Sequence, residues 1–241
     1  MKPLKSILAS ATIVVICLTL SGCPWDPDPV PIPAPEQVTG SKTITLNPIA
    51  QQTEVWCWAA VSEMVLRYYG LPNLNGAGNY QCGIVAAYYG QYSTCWQNCF
   101  TCVSTIAGMT EMNKIVTQYG FVANSLGVPS RNLTSSLVFR ALTLKEIADD
   151  INNNRPVIAG ISPSGVALPN ASQHVTLVVG YDATGPQPVL TVNDPYPFDY
   201  MGVPNPYTMV GAIQVQPGQY LITYSAFVTY LKWANSVYQI K

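Results

Sequence analysis

Charged side chains are scarce in this sequence. Lysine, arginine, aspartate and glutamate make up 10% of the 241 residues, against about 25% in an average soluble domain. The net charge is −1 and no basic block is present, so nothing in the sequence would neutralise the phosphates of a nucleic acid. Nucleic acid is therefore not expected as a partner. Hydrophobic residues reach 49%, enough for a sizeable core in a single domain that follows a short leader.

The N-terminal hydrophobic run is too short for a permanent membrane span, which needs about 20 apolar residues. It covers Ile7–Leu20, carries no charge and follows the short basic segment Met1–Lys5. Such a run is typical of the core of a signal peptide, so residues 1–22 are predicted to be a removable export signal.

Proline occupies nearly every second position between Pro24 and Pro35. Such a segment cannot enter a helix or a sheet and favours extended, semi-rigid geometry. Residues 23–42 are therefore predicted to be a tether, and residues 43–241 the folded domain. A proline-rich ligand for another protein is the alternative interpretation of this tether.

The junction between signal and tether has the sequence Leu20–Cys23, in which Ser21 and Gly22 are small. It resembles the lipobox of bacterial lipoproteins, which implies that Cys23 receives lipid and becomes the mature N-terminus. An ordinary secretory signal with an incidental cysteine after it is the alternative interpretation. Residue 24 is proline, not the aspartate that marks inner-membrane retention in that family. The resemblance thus implies an outer-membrane or cell-surface location.

The hydrophobic pattern predicts an α+β chain, with helices first and an antiparallel sheet after them. Residues 71–102 are expected to be rich in loops. The predicted helices are Cys57–Tyr69, Ile106–Tyr119 ended by Gly120, the capping-box helix Thr143–Asn153, and Ser225–Trp233. The predicted strands are Thr43–Leu46, Val157–Ile161, His174–Tyr181, Val189–Asn193, Tyr220–Tyr224 and Ser236–Ile240.

Histidine is almost absent, since His174 is the only one. Any mechanism that needs an imidazole must therefore use it. Cys57 lies at the start of a predicted helix, where the dipole and the free N–H groups favour a reactive thiolate. His174 opens one predicted strand and Asp194 follows the next, so antiparallel pairing would bring the two together as base and orienting group. Asn193 is the alternative third residue.

Each of these residues also has a purely structural interpretation. Cys57 could be a buried core cysteine and His174 a satisfied structural histidine. Asp194 precedes a proline and could serve turn geometry alone. The combination of the three favours a nucleophilic site.

Three motifs resemble papain-like cysteine peptidases, and more closely their compact bacterial branch of double-glycine bacteriocin-leader and avirulence-effector peptidases. They are Gln51 followed after five residues by Cys57–Ala60, then Gln173–Tyr181, and Asn193–Pro195. The resemblance covers roughly residues 43 to 240. It implies a papain-like fold, with the nucleophile helix of an N-terminal helical part packed on a C-terminal antiparallel sheet.

The same resemblance assigns site roles and a reaction. It implies peptide-bond hydrolysis through a thioester acyl-enzyme on Cys57, with Gln51 and the backbone N–H of Cys57 as oxyanion donors. Gln52 is a neighbouring alternative to Gln51. The sequence departs from papain at Val55–Trp56, where papain has a further cysteine.

Four cysteines form a separate set. Of the seven, Cys17 lies in the leader, Cys23 is the lipid candidate and Cys57 is the nucleophile candidate, which leaves Cys82, Cys95, Cys99 and Cys102. An even number in an exported chain predicts two disulfides, with three pairings possible. A zinc site on the same cysteines is the alternative. No cofactor or bound metal is expected.

The sequence therefore predicts a cysteine peptidase at the bacterial cell envelope. Its expected substrate is a peptide or protein, and it is expected to be a monomer attached to the membrane through lipid on Cys23. The same triad could instead serve acyl transfer or an amidase reaction. A catalytically inactive surface-binding module on this fold is the non-enzymatic alternative.

Overall fold

The computed structural model describes residues 37–164 and 172–241. The expected signal peptide, Cys23 and most of the tether lie outside these residues. The helices are α1 Cys57–Tyr68, α2 Tyr80–Tyr89, α3 Thr94–Gln97, α4 Met109–Ser125, α5 Leu144–Asn152, α6 Phe198–Met201, α7 Pro206–Met209 and α8 Tyr224–Thr229. The strands are β1 Ser41–Thr43, β2 Ser136–Val138, β3 Val157–Ile161, β4 His174–Asp182, β5 Val189–Asn193, β6 Ile213–Gln216, β7 Gln219–Thr223 and β8 Asn235–Tyr238.

Strand β4 is the centre of an antiparallel sheet with the order β2-β8-β3-β4-β5-β7-β6. On one side, the first half of β4 pairs with β3 and its last three residues pair with β1. On the other side it pairs with β5. Residues Val175–Tyr181 of β4 are buried, so the strand that begins at His174 is a rigid part of the core.

Helix α1 packs against β4 and buries one continuous run, Trp58–Leu66. Its last turn carries Arg67, whose positive charge suits the C-terminal end of the helix dipole. The predicted α+β class, with this helix on an antiparallel sheet, is confirmed.

The segment 71–102 holds more helix than its sequence indicated. Helix α2 buries seven consecutive residues, Tyr80–Ala86, so it has no polar face and no helical periodicity to detect. The Asn79 side chain caps it by accepting from the backbone N–H of Cys82. The loop-rich interpretation therefore holds for residues 71–79 and is wrong for Tyr80–Tyr89.

The predicted helix end at Gly120 is also wrong, because α4 continues to Ser125. Gly120 lies inside the helix where the backbone oxygen of Arg131 approaches it closely, and a side chain there would collide with that oxygen. Residue 120 is therefore a glycine because the backbone of Arg131 packs closely against it, and not because the helix ends there.

Smaller differences concern the edges of the sheet. Strand β1 begins at Ser41, so it includes the last two residues assigned to the tether. Strands β2 and β6 were not predicted. Both are short, and their residues do not alternate between buried and exposed positions as those of a half-buried strand do. Helix α8 is shorter than the predicted helix over Ser225–Trp233.

Two disulfides, Cys82–Cys99 and Cys95–Cys102, hold the segment between α2 and α4. All four sulfurs are thereby engaged, and the zinc alternative does not hold. Within the described part of the chain, no helix has the length and apolar character needed to cross a membrane.

Candidate active site

Strands β4 and β5 bring His174 and Asp194 into contact. The imidazole Nε2 of His174 lies 2.8 Å from Oδ1 of Asp194. Leu177 pairs with Asn193 across the two strands, so the next residue, Asp194, falls on the face that carries His174. Strand register therefore selects Asp194 as the neighbour of the imidazole.

Asn193, the alternative third residue, faces the other side of the sheet. Its amide nitrogen donates to the backbone oxygen of Leu46 at 2.8 Å, and its oxygen accepts from the Gln219 side chain at 2.8 Å. Both ends of the amide are therefore engaged away from His174. The structure places Asn193 as a buried link between strands.

Cys57 is the first residue of α1 and the only cysteine outside a disulfide in the described residues. Its thiol lies beside the His174 ring and favours the protonated form of that ring. Since Nε2 of the ring faces Asp194, Nδ1 is the nitrogen left for the thiol. Thiol, imidazole and carboxylate thus form one continuous chain of contacts.

The protonation of His174 follows from these neighbours. Burial of the ring alone would lower its pKa, because the imidazolium loses hydration. The charge of Asp194 and its hydrogen bond outweigh that effect, Cys57 acts in the same direction, and the pKa of His174 rises from 6.5 to about 10. At neutral pH the ring is therefore an imidazolium, which stabilises an adjacent thiolate.

The Asp194 carboxylate is 1% exposed and accepts hydrogen bonds on both oxygens. Oδ1 also receives the backbone N–H of Tyr196 at 2.8 Å, and Oδ2 receives the hydroxyl of Tyr207 at 2.8 Å. The Tyr196 ring stands edge-on to the imidazole, with centroids 6.3 Å apart. Tyr207 was missed by sequence reasoning, because nothing in its local sequence points to a contact with Asp194.

Gln51 lies in the loop that leads into α1, and it is buried. Its amide nitrogen donates to the backbone oxygens of Thr53 at 2.8 Å and Glu54 at 2.9 Å, so both N–H bonds are engaged in bracing the loop. Its role as an oxyanion donor stays a prediction, and it requires this amide to turn towards the cleft. Gln52 points elsewhere, since its side-chain oxygen accepts from Asn79.

The loop around Gln51 has an anchor that the sequence did not reveal. The Gln81 amide of α2 donates to the backbone oxygen of Ala50 at 2.9 Å and to the buried Glu63 carboxylate at 3.1 Å. Its oxygen accepts from the backbone N–H of Gln52 at 3.0 Å. Helices α1 and α2 thereby fix the position of this loop.

Two tryptophans connect the start of α1 to the disulfide-bonded segment. Trp56 Nε1 donates to the backbone oxygen of Cys102, and Trp58 Nε1 donates to that of Thr105, both at 3.1 Å. Because Cys102 is bonded to Cys95, the segment that receives these bonds is covalently constrained. The position of Cys57 thus depends on the disulfide-bonded segment.

Cys57 and His174 open into a cleft of about 410 Å³. Its walls are largely apolar, with Val55, Trp58, Ile106, Ala107, Met109 and Phe139 among the lining residues. Glu54 and Glu111 add two carboxylates, and no lysine or arginine occurs among the described lining residues. The cleft can hold a short stretch of polypeptide and carries negative potential.

Substitutions of Asp194 and Asn193, the two candidates for the third triad residue, are expected to affect activity and stability differently. We expect Asp194→Ala to lower kcat/KM by roughly 10²–10⁴-fold, because the imidazole loses the group that orients it and favours its charged form. Asn193→Ala should lower stability with little loss of activity in the folded fraction, since it breaks bonds to Leu46 and Gln219 only. Kinetics and thermal unfolding of both variants check this, and a larger kinetic defect in Asn193→Ala would contradict it.

The site and the fold define a cysteine peptidase, and comparisons with known proteins agree. The model of the Peptidase_C39 like family matches residues 43–215. The chain therefore belongs to this family, and its substrates are peptides or proteins. A comparison with curated proteins finds no match.

Several solved structures resemble the chain. Digestive procathepsin L 3 of Tenebrio molitor is 12% identical, with a TM-score of 0.45 over 86% of this chain and 72% of that one. A Bacillus anthracis protein described as C39-like is 12% identical, with a TM-score of 0.42 over 82% and 96%. The clostridial cysteine protease Cwp84 is 10% identical, with a TM-score of 0.45 over 81% and 55%. These identities and TM-scores are low, so the family assignment rests on the family model.

Proposed function

We propose that this peptidase hydrolyses peptide bonds with Cys57 as nucleophile, His174 as general base and acid, and Asp194 as the group that orients His174. The observation that carries the proposal is the 2.8 Å contact between His174 and the buried Asp194 carboxylate, with Cys57 beside the same imidazole in the lining of one cleft. The position of Cys57 at a helix N-terminus supports it, because the helix dipole favours the thiolate there.

The reaction follows from these groups. The thiolate attacks the scissile carbonyl carbon, and the negative oxygen that forms accepts from the backbone N–H of Cys57, which belongs to a helix turn without intrahelical partners for its N–H groups. The imidazolium of His174 gives its proton to the leaving amine, and a thioester remains on Cys57. Neutral His174 then takes a proton from water, which attacks the thioester and releases the acid.

A thiol-directed probe tests the assignment without knowledge of the substrate. We expect an epoxide or chloromethylketone inhibitor of cysteine peptidases to modify Cys57 alone, as peptide mapping would reveal, and to block hydrolysis of a peptide library. The Cys57→Ala variant is the control and should remain unlabelled. Hydrolysis that continues after complete modification of Cys57 would overturn the proposal.

The charge of the cleft leads to a substrate preference. Glu54 and Glu111 line the cleft, and no lysine or arginine occurs among its described lining residues, so we expect peptides with lysine or arginine near the scissile bond to be cleaved faster than matched peptides with glutamate. Glu54→Gln should narrow this ratio by roughly two- to five-fold, because an exposed charge contributes modestly. Steady-state kinetics at low and high salt check this, and a ratio that salt leaves unchanged would contradict it.

We also infer that the protein is exported and held at the cell envelope by lipid on Cys23. The lipobox-like segment Leu20–Cys23 supports this, and two disulfides fit an oxidising compartment. Cys23→Ser should release the protein from the membrane fraction and remove the lipid mass from its N-terminal peptide. Unchanged fractionation together with an unmodified wild-type peptide would contradict the inference. A monomeric state and the absence of a nucleic-acid partner remain predictions.

A further inference from the structure

Tyr207 is a buried tyrosine that touches the candidate triad without touching the cleft. Its hydroxyl donates to Oδ2 of Asp194 at 2.8 Å, and its exposed fraction is 0%. The opposite oxygen, Oδ1, faces His174 and the backbone N–H of Tyr196. Tyr207 is thus the only described side chain whose hydrogen bond to Oδ2 is observed.

The position of the Tyr207 ring is firmly determined. It stacks on Tyr220 with centroids 4.2 Å apart and an interplanar angle of 7°. Asn205 caps α7 by accepting from the backbone N–H of Tyr207 at 3.0 Å, and the same side chain donates to the Tyr220 hydroxyl at 3.0 Å. Stack and cap together aim the Tyr207 hydroxyl at the carboxylate.

The hydroxyl keeps its proton in this environment. Burial raises the pKa of Tyr207 well above its ordinary value, and the charge of Asp194 together with the hydrogen bond to it adds to the rise. The phenol is therefore a permanent donor over the pH range in which a peptidase works. A donor to the charged form of a carboxylate favours that form.

We propose that Tyr207 is a positioning residue of this active site: its hydroxyl keeps the Asp194 carboxylate turned towards His174, and so keeps the imidazole oriented beside the Cys57 thiol. The proposal rests on the proposed function, because it assigns Tyr207 to the triad that performs the reaction. Tyr207 acts through Asp194 and His174 and does not contact the reacting atoms.

The physical argument concerns the acidic side of the pH range. Asp194 is removed from water, so its charge depends on protein donors. Without the Tyr207 hydroxyl, the charged carboxylate would lose one of its hydrogen-bond donors, and His174 would lose part of the interaction that favours its imidazolium form. Among the described residues, the titratable or charged groups around this carboxylate are His174 and, beyond it, Cys57, then Tyr196, Tyr207, Tyr220 and, behind Tyr220, Asp199.

The structure offers a matched pair of variants. Tyr207→Phe removes the hydroxyl on Asp194 and keeps the ring in the stack. Tyr220→Phe removes the hydroxyl of the other ring in the same stack, which bonds to Asn205 and not to Asp194. Both remove one oxygen atom from a buried ring, so a difference between them reports the contact with Asp194.

The measurement is the rate at which iodoacetamide alkylates Cys57 as a function of pH, read by peptide mapping of the full-length protein. We expect Tyr207→Phe to slow alkylation by about ten-fold near pH 5, with a smaller change near pH 8. The acidic limb of the curve of alkylation rate against pH should move to higher pH by about one unit. Tyr220→Phe should follow the wild type. The acidic limb of kcat/KM on one library peptide should shift with the alkylation limb.

Two results would overturn the proposal. One is an acidic limb in Tyr207→Phe that coincides with the wild type. The other is an equal, pH-independent loss in Tyr207→Phe and Tyr220→Phe, which would mean packing alone. Incorporation of 3-fluorotyrosine at 207 keeps ring and hydroxyl if Tyr207→Phe does not fold. Because its phenol is a stronger donor, the limb should move to lower pH, and an unmoved limb contradicts the proposal. Alkylation needs no substrate, so it tests Tyr207 even if Cys57 proves not to cleave peptides.

Discussion

Cys57→Ala is expected to lower kcat/KM by at least about 10⁴-fold, leaving no measurable hydrolysis. The thiol is the only free one in the described chain and the only one in contact with the imidazole. An alanine side chain fits the same space at the start of α1 and favours helix, so the fold should persist. Steady-state kinetics with a library peptide, together with circular dichroism of the variant, provide the measurement.

Ser62→Ala is a matched control for this substitution. Ser62 is buried on the same helix, and its hydroxyl contacts only the Met112 sulfur, at 3.7 Å, away from the cleft. We expect Ser62→Ala to retain activity, so that a loss in Cys57→Ala reports chemistry and not the helix. A folded Cys57→Ala protein that cleaves peptide at the wild-type rate would refute the assigned nucleophile.

His174→Ala is expected to lower kcat/KM by about 10³–10⁴-fold, since the leaving amine loses its acid and water loses its base. Alkylation of Cys57 provides a second readout. A thiol without an imidazolium neighbour ionises near its ordinary value of about 8.5, so alkylation in the variant should require alkaline pH. Alkylation of the variant that remains fast at pH 6 would contradict the ion pair.

The stability of the protein should change with pH through the same histidine. In the folded state the pKa of His174 is about 10, above the 6.5 of an unfolded chain. The protonated ring therefore stabilises the fold fully below about pH 6.5, and this contribution is lost as pH rises through about 10. The difference in unfolding free energy between wild type and His174→Ala should shrink over that interval, as urea titrations at several pH values would show.

The meeting of His174 with Asp194 could be predicted from sequence for a clear physical reason. Each residue stands at the end of a strongly apolar strand, and antiparallel pairing of two consecutive strands brings the start of the first beside the end of the second. The helix that carries Cys57 was equally accessible, because Val61, Met64, Val65 and Tyr68 recur at helical spacing in the sequence and Gly70 follows as a stop signal.

What remained hidden depends on long-range contacts. Helix α2 is buried along seven consecutive residues, so its pattern resembles a generic apolar run. The disulfide pairing required distances that only the folded chain provides. Tyr207 reaches Asp194 because α7 folds back over β7, and the orientation of the Gln51 amide depends on the loop carbonyls around it. Local sequence contains none of this information.

The two halves of the site rest on supports of unequal strength. His174 belongs to β4, the central strand of the sheet, which pairs with neighbours along both edges. Asp194 directly follows β5, one of those neighbours. The start of α1 is tied by one indole N–H to Cys102, which closes a short segment with Cys95, and by a second to Thr105 just after that segment. We therefore expect a mild reductant to abolish activity while the backbone amides of the sheet remain protected from hydrogen exchange. Reduction would release the start of α1, so that Cys57 would move away from His174 before the core unfolds. Under the proposed export, newly made chains would gain peptidase activity only after the disulfides form outside the cytoplasm.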